Sequence, residues 1–593
     1  MTSTPVIDSD SIIDDFNCHF RVFSGPGAGK THWLINHIKN VAKKSTNLSS
    51  VRKIICITYT NVAANEIIER LDEYLDKVDV STIHSFLYRY IVKPYLHIIV
   101  DERGVPLVDF ARVDGHDEHY PNMRLIREWL ELTNSWRYLS GKMGECANYF
   151  KKLKWLQNAQ GGWNLKTIHF TSKPDYLPTT RLTEYKDLYW KRGIIDHEDV
   201  LYFAYRIFEE HPALRTFLAL KFPYVYVDEF QDTNPIQTQI IKWLGEAGSY
   251  IGVIGDLEQS IYSFQGARPE DFRDFTLPDI RNYEILGNRR STVKIVALLN
   301  KVRSDGLIQT STNGEEGVVA EIHIGNLETI LNAINSNHKE LAILARTNKE
   351  VDSIRRKHFL AGSANDVWEN FETADLYRAM FIEAIIVSVE LFRRRQFTES
   401  LKKLSKVIRI RRDGTSPKPF KPANISKISK IKFRGVAVSL INKIMDKYDN
   451  LLGNTLLNFY DFISNIIKES IEGLELTKIT RGAPHTFAQS TMLSDLFDSV
   501  KLSGNENRNI RTIHQAKGTE FDNVLVSLNH LDDNEAEKQL DILFGDVPCG
   551  TAEDKRILYV AMSRAKKNLF IATPKMAIDK KQFAISIGCT IVE

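Results

Sequence analysis

The chain has 593 residues, 78 lysines and arginines against 75 aspartates and glutamates, and a net charge of +3. That length exceeds what one hydrophobic core serves and predicts several domains, while the near-neutral balance excludes a uniformly basic nucleic-acid binder and leaves any such footprint local. The five cysteines, Cys18, Cys56, Cys146, Cys549 and Cys589, show no C-x-x-C spacing and support neither a disulfide framework nor an iron–sulfur cluster. No basic, apolar leader and no run of about 18 uncharged apolar residues occurs, so a cytoplasmic protein is the simplest reading.

The first informative stretch is 20–35, FRVFSGPGAGKTHWLI, a glycine-rich loop between a strand-like and a helix-like run. It reads as a phosphate cradle. Without Cβ atoms, Gly25, Gly27 and Gly29 let backbone N–H groups approach phosphate oxygens. Lys30 supplies an ammonium, Thr31 a hydroxyl for Mg²⁺, and the helix start an oriented dipole. Ser24 stands where the strict G-x-x-x-x-G-K-[ST] pattern has its first glycine, and Pro26 and Ala28 complete the loop. A tight strand-to-helix turn is the competing meaning until a second element is found.

That element is 221–237, KFPYVYVDEFQDTNPIQ. The apolar run Val225 to Val227 reads as a buried parallel strand delivering Asp228 and Glu229 at its carboxyl end, where open α/β sheets bind ligands. Asp228 would bind Mg²⁺, and Glu229 would orient and deprotonate the attacking water. Neighbours on a strand point to opposite faces, so the pair must lie where the strand ends and the chain turns.

Short apolar runs alternate with helical patterns over 20–90 and 221–300, as a doubly wound α/β sheet requires. LAILART at 341–347 and VLVSL at 524–528 predict strands of a second sheet, and 356–504 reads mainly helical. Two stretches invite a nucleic-acid reading. Residues 151–166 interleave Trp155 and Trp163 with lysines, and 393–434 carry fifteen basic residues against two acids. The second block reads equally as a duplex-binding surface, a solvated helical face or a docking surface for an acidic protein.

In order, the chain shows SGPGAGKT (24–31), ICITYTNVAANEIIERL (55–71), STIHSF (81–86), VDEFQDTN (227–234), GDLEQSIYSFQGA (255–267), LGNRRST (286–292), TIHQAKGTEF (512–521) and LYVAMSRA (558–565). This series resembles the superfamily 1A helicases of the UvrD/Rep type. The resemblance implies an α/β fold of two RecA-like (P-loop NTPase) motor domains with two mainly helical inserted accessory domains. Domain 1A would comprise 1–87 and 191–280, 1B 88–190, 2A 281–355 and 505–593, and 2B 356–504.

The resemblance also implies residue roles. Gln259 would sense the γ-phosphate with Asp256 holding its loop, and Arg290 and Arg564 would be cationic fingers on the departing phosphoryl group. Glu520 would contact the nucleotide, with Lys517 and Gly518 in the same coupling loop. Tyr59, Thr60, Asn61 and His84 match positions that touch single-stranded DNA, as do Tyr262, Phe264, Thr512 and His514. Ordinary packing is the competing role for each aromatic.

Several departures stand out. No glutamine precedes residue 157 to read adenine, Arg289 replaces the usual base-stacking tyrosine while keeping a planar face for the nucleotide, Phe264 replaces a tryptophan, and the GGxxFF-like stretch of the second insert is missing. Use of GTP or other triphosphates is therefore an expectation to test.

The activity implied is DNA-stimulated, Mg²⁺-dependent ATP hydrolysis driving 3′–5′ movement on single-stranded DNA and duplex unwinding, in repair or antiviral defence. The alternative is a subunit that senses DNA ends or single strands and controls a separate nuclease of the Toprim/OLD type, as does the helicase-like subunit of Gabija. About twenty residues follow IATPK at 571–575, so any cutting is expected to come from a partner and not from a fused nuclease. Action on RNA is a third reading.

Overall fold

Apolar runs dictate where the sheets form. In chain order the described strands of three or more residues are β1 (Phe20–Ser24), β2 (Ile54–Thr58), β3 (Val78–Thr82), β4 (Leu153–Gln157), β5 (Trp163–Thr167), β6 (Tyr224–Val227) and β7 (Tyr250–Gly255). They continue as β8 (Arg281–Ile285), β9 (Glu321–Ile324), β10 (Leu341–Ala345), β11 (Asn509–Thr512), β12 (Phe521–Ser527), β13 (Ala565–Thr573) and β14 (Thr590–Val592). The structure, a computed structural model, describes residues 4–119, 121–135, 147, 149–158, 160–167, 177, 179–337, 341–348, 350–351, 353–354, 364–393, 397–408, 419–421, 430–470, 474–498, 509–529, 533–544 and 552–593. The chain forms two compact units, Met1–Thr347 with Arg511–Glu593, and Asn348–Ile510.

The first unit holds two six-stranded sheets. In one the order is β8, β1, β7, β6, β2, β3, with every neighbouring pair parallel. Its central strands β2, β6 and β7 are buried on both faces and therefore need apolar residues at both parities. Along β2, Ile54 and Cys56 enter the core made with α1 (Lys30–Lys44) and α2 (Asn61–Leu71), while Ile55 and Ile57 enter the opposite core with α3 (His197–Glu210). This is the doubly wound arrangement expected from the sequence. In the second sheet the order is β11, β10, β12, β13, β9, β14. Its core joins Val524, Val526 and Ile571 to Ile295 and Leu299 of α4 (Val293–Val302) and to Tyr559 of α5 (Ala552–Met562). We call the two sheets with their helices the first and second lobes.

Two expectations change. The boundary at 280/281 falls ahead of β8, which pairs in register with β1 from Phe20 opposite Arg281 to Ser24 opposite Ile285, so the first lobe includes 281–285. The tryptophans of 151–166, which invited a nucleic-acid reading, pack against the first lobe's core, Trp155 buried and Trp163 half-buried. On the β4–β5 hairpin, strand alternation turns Trp155 and Trp163 onto α3, where Trp155 stacks on Tyr202 (centroids 3.7 Å, planes 3° apart) and Trp163 meets Tyr205 edge-on at 5.2 Å. Lys154 of the same hairpin is paired with Glu198 at 2.5 Å.

The second unit is mainly helical among its described residues. Helices Ala364–Arg393, Phe397–Ile408, Lys430–Asp446, Leu456–Ser470 and Ala483–Ser490 surround Ile382, Ile385, Leu440, Ile441, Ile463 and Ile467. Within the basic block, Arg393 pairs with Glu390 at 2.8 Å, while 394–396, 409–418 and 422–429 lie outside the described residues. No described helix is long and apolar enough to cross a membrane.

Candidate functional site

The loop after β1 turns into α1 through two left-handed residues, Gly27 (φ 68°) and Gly29 (φ 79°), a conformation that only glycine adopts freely. At Gly27 space is also decisive, because a Cβ would lie 2.6 Å from Asn288 Oδ1 and 2.7 Å from the Arg290 Cβ of the neighbouring lobe. Lys30 opens α1 and is buried, its Nζ donating to Gly25 O at 3.3 Å, so the ammonium lies folded over the loop it serves. Pro26 and Ala28 lie between the glycines, and the Pro26 carbonyl accepts from Asn288 Nδ2 at 2.9 Å and Gln309 Nε2 at 3.2 Å. Ser24 takes a structural part, its hydroxyl donating to Gly255 O at 3.2 Å and tying β1 to β7.

At the end of β6, Asp228 meets this loop: Thr31 Oγ1 donates to its Oδ2 at 3.3 Å. The next residue resolves the problem of adjacent carboxylates on one strand. Glu229 adopts the left-handed region (φ 53°, ψ 43°), which costs about 1–2 kcal/mol for a residue with a Cβ and ends the alternation there. Burial and the charge of Glu229 push Asp228 up to about 7. Burial also acts against Glu229, but Lys30 and Lys517, with a 2.5 Å hydrogen bond from Gln231 Nε2, hold its carboxyl below the ordinary value. A hydroxyl and a crowded carboxylate at bonding distance are the hard oxygen donors that suit Mg²⁺, so the residues present fit that ion.

The segment 256–264 connects this chemistry to an aromatic surface. Asp256 Oδ2 receives Gln259 Nε2 at 2.7 Å, and Gln259 Oε1 receives Arg564 Nη2 from the second lobe at 3.1 Å. The second lobe then takes the following backbone groups one by one. Lys517 donates to Gln259 O at 2.7 Å, Arg556 to Ser260 O at 2.6 Å and His514 to Ile261 O at 3.1 Å, and Glu553 accepts the Ser263 N–H at 3.1 Å.

Arg564 is fully buried, and burial followed by repulsion from Arg290 lowers its pKa to about 9. Arg290 is held by Glu520 at 2.8 Å and by Ser563 O at 3.1 Å, and Glu520 also takes Lys566 at 2.7 Å. Gly518 follows Lys517 with φ 83°. Arg289 gives its backbone N–H to Gly27 O at 2.9 Å, while its side chain is paired with Asp8 at 2.7 Å and with Asp10. Asp10 in turn accepts from His32 at 2.9 Å.

Most expected DNA residues converge. Tyr59 stacks on Tyr262 with centroids 4.6 Å apart, Tyr262 lies 5.9 Å from His514, and Phe264 meets His514 edge-on at 5.5 Å. Thr60 and Asn61 adjoin this group at the exposed start of α2, where the Thr60 hydroxyl caps the helix by accepting from Ala63 N at 3.2 Å. Two depart from expectation. The Thr512 hydroxyl is buried and caps a helical turn by accepting from Gln515 N at 3.2 Å, so it is spent inside the fold. His84 packs among imidazoles, 5.2 Å from His197 and 6.5 Å from His116, and burial lowers its pKa to about 3, which keeps it neutral.

Sequence reasoning missed Gln231, Asn288 and Gln309. Gln231 joins Glu229 to the Asp256 N–H, and the two others cap the phosphate loop from the second lobe. Gln231 and Asn288 sit inside recognisable motifs and were findable; nothing in the sequence around Gln309 marks it.

The comparisons agree with this geometry. The UvrD/REP helicase N-terminal domain matches residues 9–278 and the UvrD-like helicase C-terminal domain matches 424–575. The chain is 23% identical to the ATP-dependent DNA helicase PcrA of Bacillus subtilis, covering 94% of this chain and 80% of that protein. It is likewise 23% identical to PcrA of Staphylococcus aureus strain Mu50, covering 95% and 82%. A probable DNA helicase II homolog of Mycoplasma capricolum is 23% identical, with 82% of this chain and 65% of that protein aligned. The two matches, in this order along the chain, establish that the chain belongs to the UvrD/Rep-like helicases of superfamily 1A.

Proposed function

We propose that this protein is an ATP-dependent DNA helicase that moves 3′ to 5′ along single-stranded DNA and separates duplex ahead of it. One observation carries the reading: a single segment, 256–264, has Gln259 at the nucleotide end and Tyr262 and Phe264 at the aromatic end, and the second lobe bonds to it at Gln259, Ser260, Ile261 and Ser263. Any change in how the lobes close on a nucleotide must therefore move the aromatic surface.

In this reading Glu229 takes the proton of the attacking water, and the cations Lys30 and Lys517 keep it ionised for that task. Lys30 meets the β- and γ-phosphates, and Thr31 with Asp228 would hold Mg²⁺, which supplies charge neutralisation at the phosphates. Arg290 and Arg564 meet the charge that develops on the departing phosphoryl group, with Gln259 fixing Arg564 beside it. Glu520 orients Arg290, and its release toward a ribose would accompany nucleotide entry. Tyr59, Tyr262, Phe264 and His514 grip bases by stacking, which is indifferent to sequence. We assign 1A to 1–87 and 191–285, 1B to 88–190, 2A to 286–355 and 505–593, and 2B to 356–504. Repair and antiviral defence are both settings for such a motor.

Strand displacement on duplexes tailed at the 3′ or the 5′ end tests the proposal. Separation of the 3′-tailed substrate alone, abolished by Lys30→Ala and by Glu229→Gln, is the expected result. DNA-stimulated ATP hydrolysis without displacement would replace it with the sensing subunit of a nuclease system, and stimulation by RNA alone would move the substrate class.

A further inference from the structure

Arg303 follows α4 and lies outside every motif that carries the family resemblance, yet its side chain is 1% exposed. A guanidinium so far from water destabilises a fold unless its donors are met. Here they are met from both lobes. Nη2 reaches Asp256 Oδ1 of the first lobe at 3.2 Å, Nη1 donates to the Tyr559 hydroxyl of α5 at 2.8 Å, and Nε and Nη2 fork onto Asp305 at 2.9 and 2.6 Å. The adjoining Ser304 strengthens the junction, giving its N–H and its hydroxyl to Glu258 Oε1 at 3.0 and 2.7 Å.

Asp256 is consequently divided. Its Oδ1 faces Arg303 and the Glu258 N–H, which leaves Oδ2 for the Gln259 amide. With Nε2 held by Asp256, Gln259 turns its Oε1 to Arg564. The order of these bonds has a direction. Without Arg303, Asp256 is a buried carboxylate linked through Gln259 to the Arg564 guanidinium, and an unpaired charge in a low-dielectric interior moves to find a partner.

We propose that Arg303 is a positioning residue for nucleotide hydrolysis: it holds Asp256 from the second lobe and so fixes the Gln259 amide and Arg564 in the orientation that meets the γ-phosphate. It touches no substrate and acts through Asp256. This inference rests on the ATPase reading given above. It separates binding from turnover, because Lys30 and Thr31, which meet the nucleotide and its metal, belong to the first lobe and bond to Gly25 and Asp228, not to Arg303.

The test is steady-state ATP hydrolysis at saturating single-stranded DNA for the full chain, Arg303→Met and Arg303→Lys, with thermal melting recorded beside each. Arg303→Met is expected to lower kcat about tenfold or more while KM for ATP stays within about twofold, since small misplacements of catalytic groups are costly. Arg303→Lys, which restores the charge without the fork, should recover part of the loss. A folded Arg303→Met protein with kcat within about twofold of the parent overturns the proposal, whatever its melting temperature. If Arg303→Met does not fold, Tyr559→Phe removes one hydrogen bond from Arg303 without changing volume: kcat lowered about threefold at constant KM supports the proposal, and unchanged kcat overturns it. A parent protein that hydrolyses no ATP with DNA overturns the functional reading itself, a result distinct from normal turnover in the variants.

Discussion

Arg564 donates from Nη2 to Oε1 of Gln259 at 3.1 Å, joining a buried guanidinium of the second lobe to the side chain that the first lobe presents beside Glu229 and the phosphate loop. The bond makes the relative position of the lobes part of the chemistry. Arg564→Ala is expected to lower the DNA-stimulated ATPase kcat by about 10²- to 10³-fold, with nucleotide affinity changed far less. Phosphate-release kinetics and nucleotide titration of the same preparation check the two halves separately.

Gly27→Ala tests the same closeness from the other side. The new methyl group would meet Asn288 and Arg290 inside 3 Å on a residue whose φ is already 68°. Loss of ATPase with the thermal transition retained is the expected outcome, since the left-handed strain alone costs only about 1–2 kcal/mol. A variant with normal turnover would show that the lobes do not close on this loop.

Tyr262→Ala removes the ring that stacks on Tyr59 and lies near Phe264. One lost base stack, worth about 1–3 kcal/mol, weakens single-stranded DNA by roughly 5- to 150-fold. Fluorescence anisotropy across a salt series should show parallel lines for variant and parent, because no phosphate contact is removed. A changed salt slope would assign Tyr262 a different role.

His37 predicts a pH effect on stability. It is fully buried, stacks on Trp33 at 5.2 Å, and burial lowers its pKa to about 3 from an ordinary 6.5. A group that ionises more readily in the unfolded chain stabilises the fold fully above pH 6.5 and loses that contribution as pH falls from 6.5 toward 3. Each pH unit in that window costs about 1.4 kcal/mol for this one group. His37→Phe should flatten the decline in melting temperature between pH 6.5 and 4.5, and an unaltered decline would place the titrating group elsewhere.

Nucleobase selectivity follows from Arg289. In place of an aromatic ring the protein has a guanidinium tied to Asp8 and Asp10 beside the phosphate loop. No glutamine occurs before residue 157, ahead of that loop, to read an adenine edge. Discrimination of 10⁴ or more requires such a buried hydrogen-bonding partner, so kcat/KM for ATP and GTP should differ by less than about tenfold. Strict ATP dependence in a competition assay would count against this reading.

The residue order alone made much of this protein readable. SGPGAGKT between apolar runs required a strand, a turn that only glycine allows and a helix start, and YVYVDE required a buried strand ending in acids; both are local demands of backbone geometry and burial. Tyr59, Tyr262 and His514, drawn from three distant motifs, meet in one aromatic cluster. Trp155 and Trp163, interleaved with lysines, invited a nucleic-acid reading, and only the hairpin's pairing shows that both share the face packed on α3.

Tertiary structure decided what no spacing encodes. Strand 281–285 belongs with β1 because a parallel partner is chosen across the whole chain, and Gln309 and Arg303 acquire their places because two lobes approach each other there. Sequence fixes which side chains carry charge, reach and conformational freedom. Which buried donor faces which acceptor depends on segments hundreds of residues apart, and the cost of leaving either one unpaired is what makes those pairings specific.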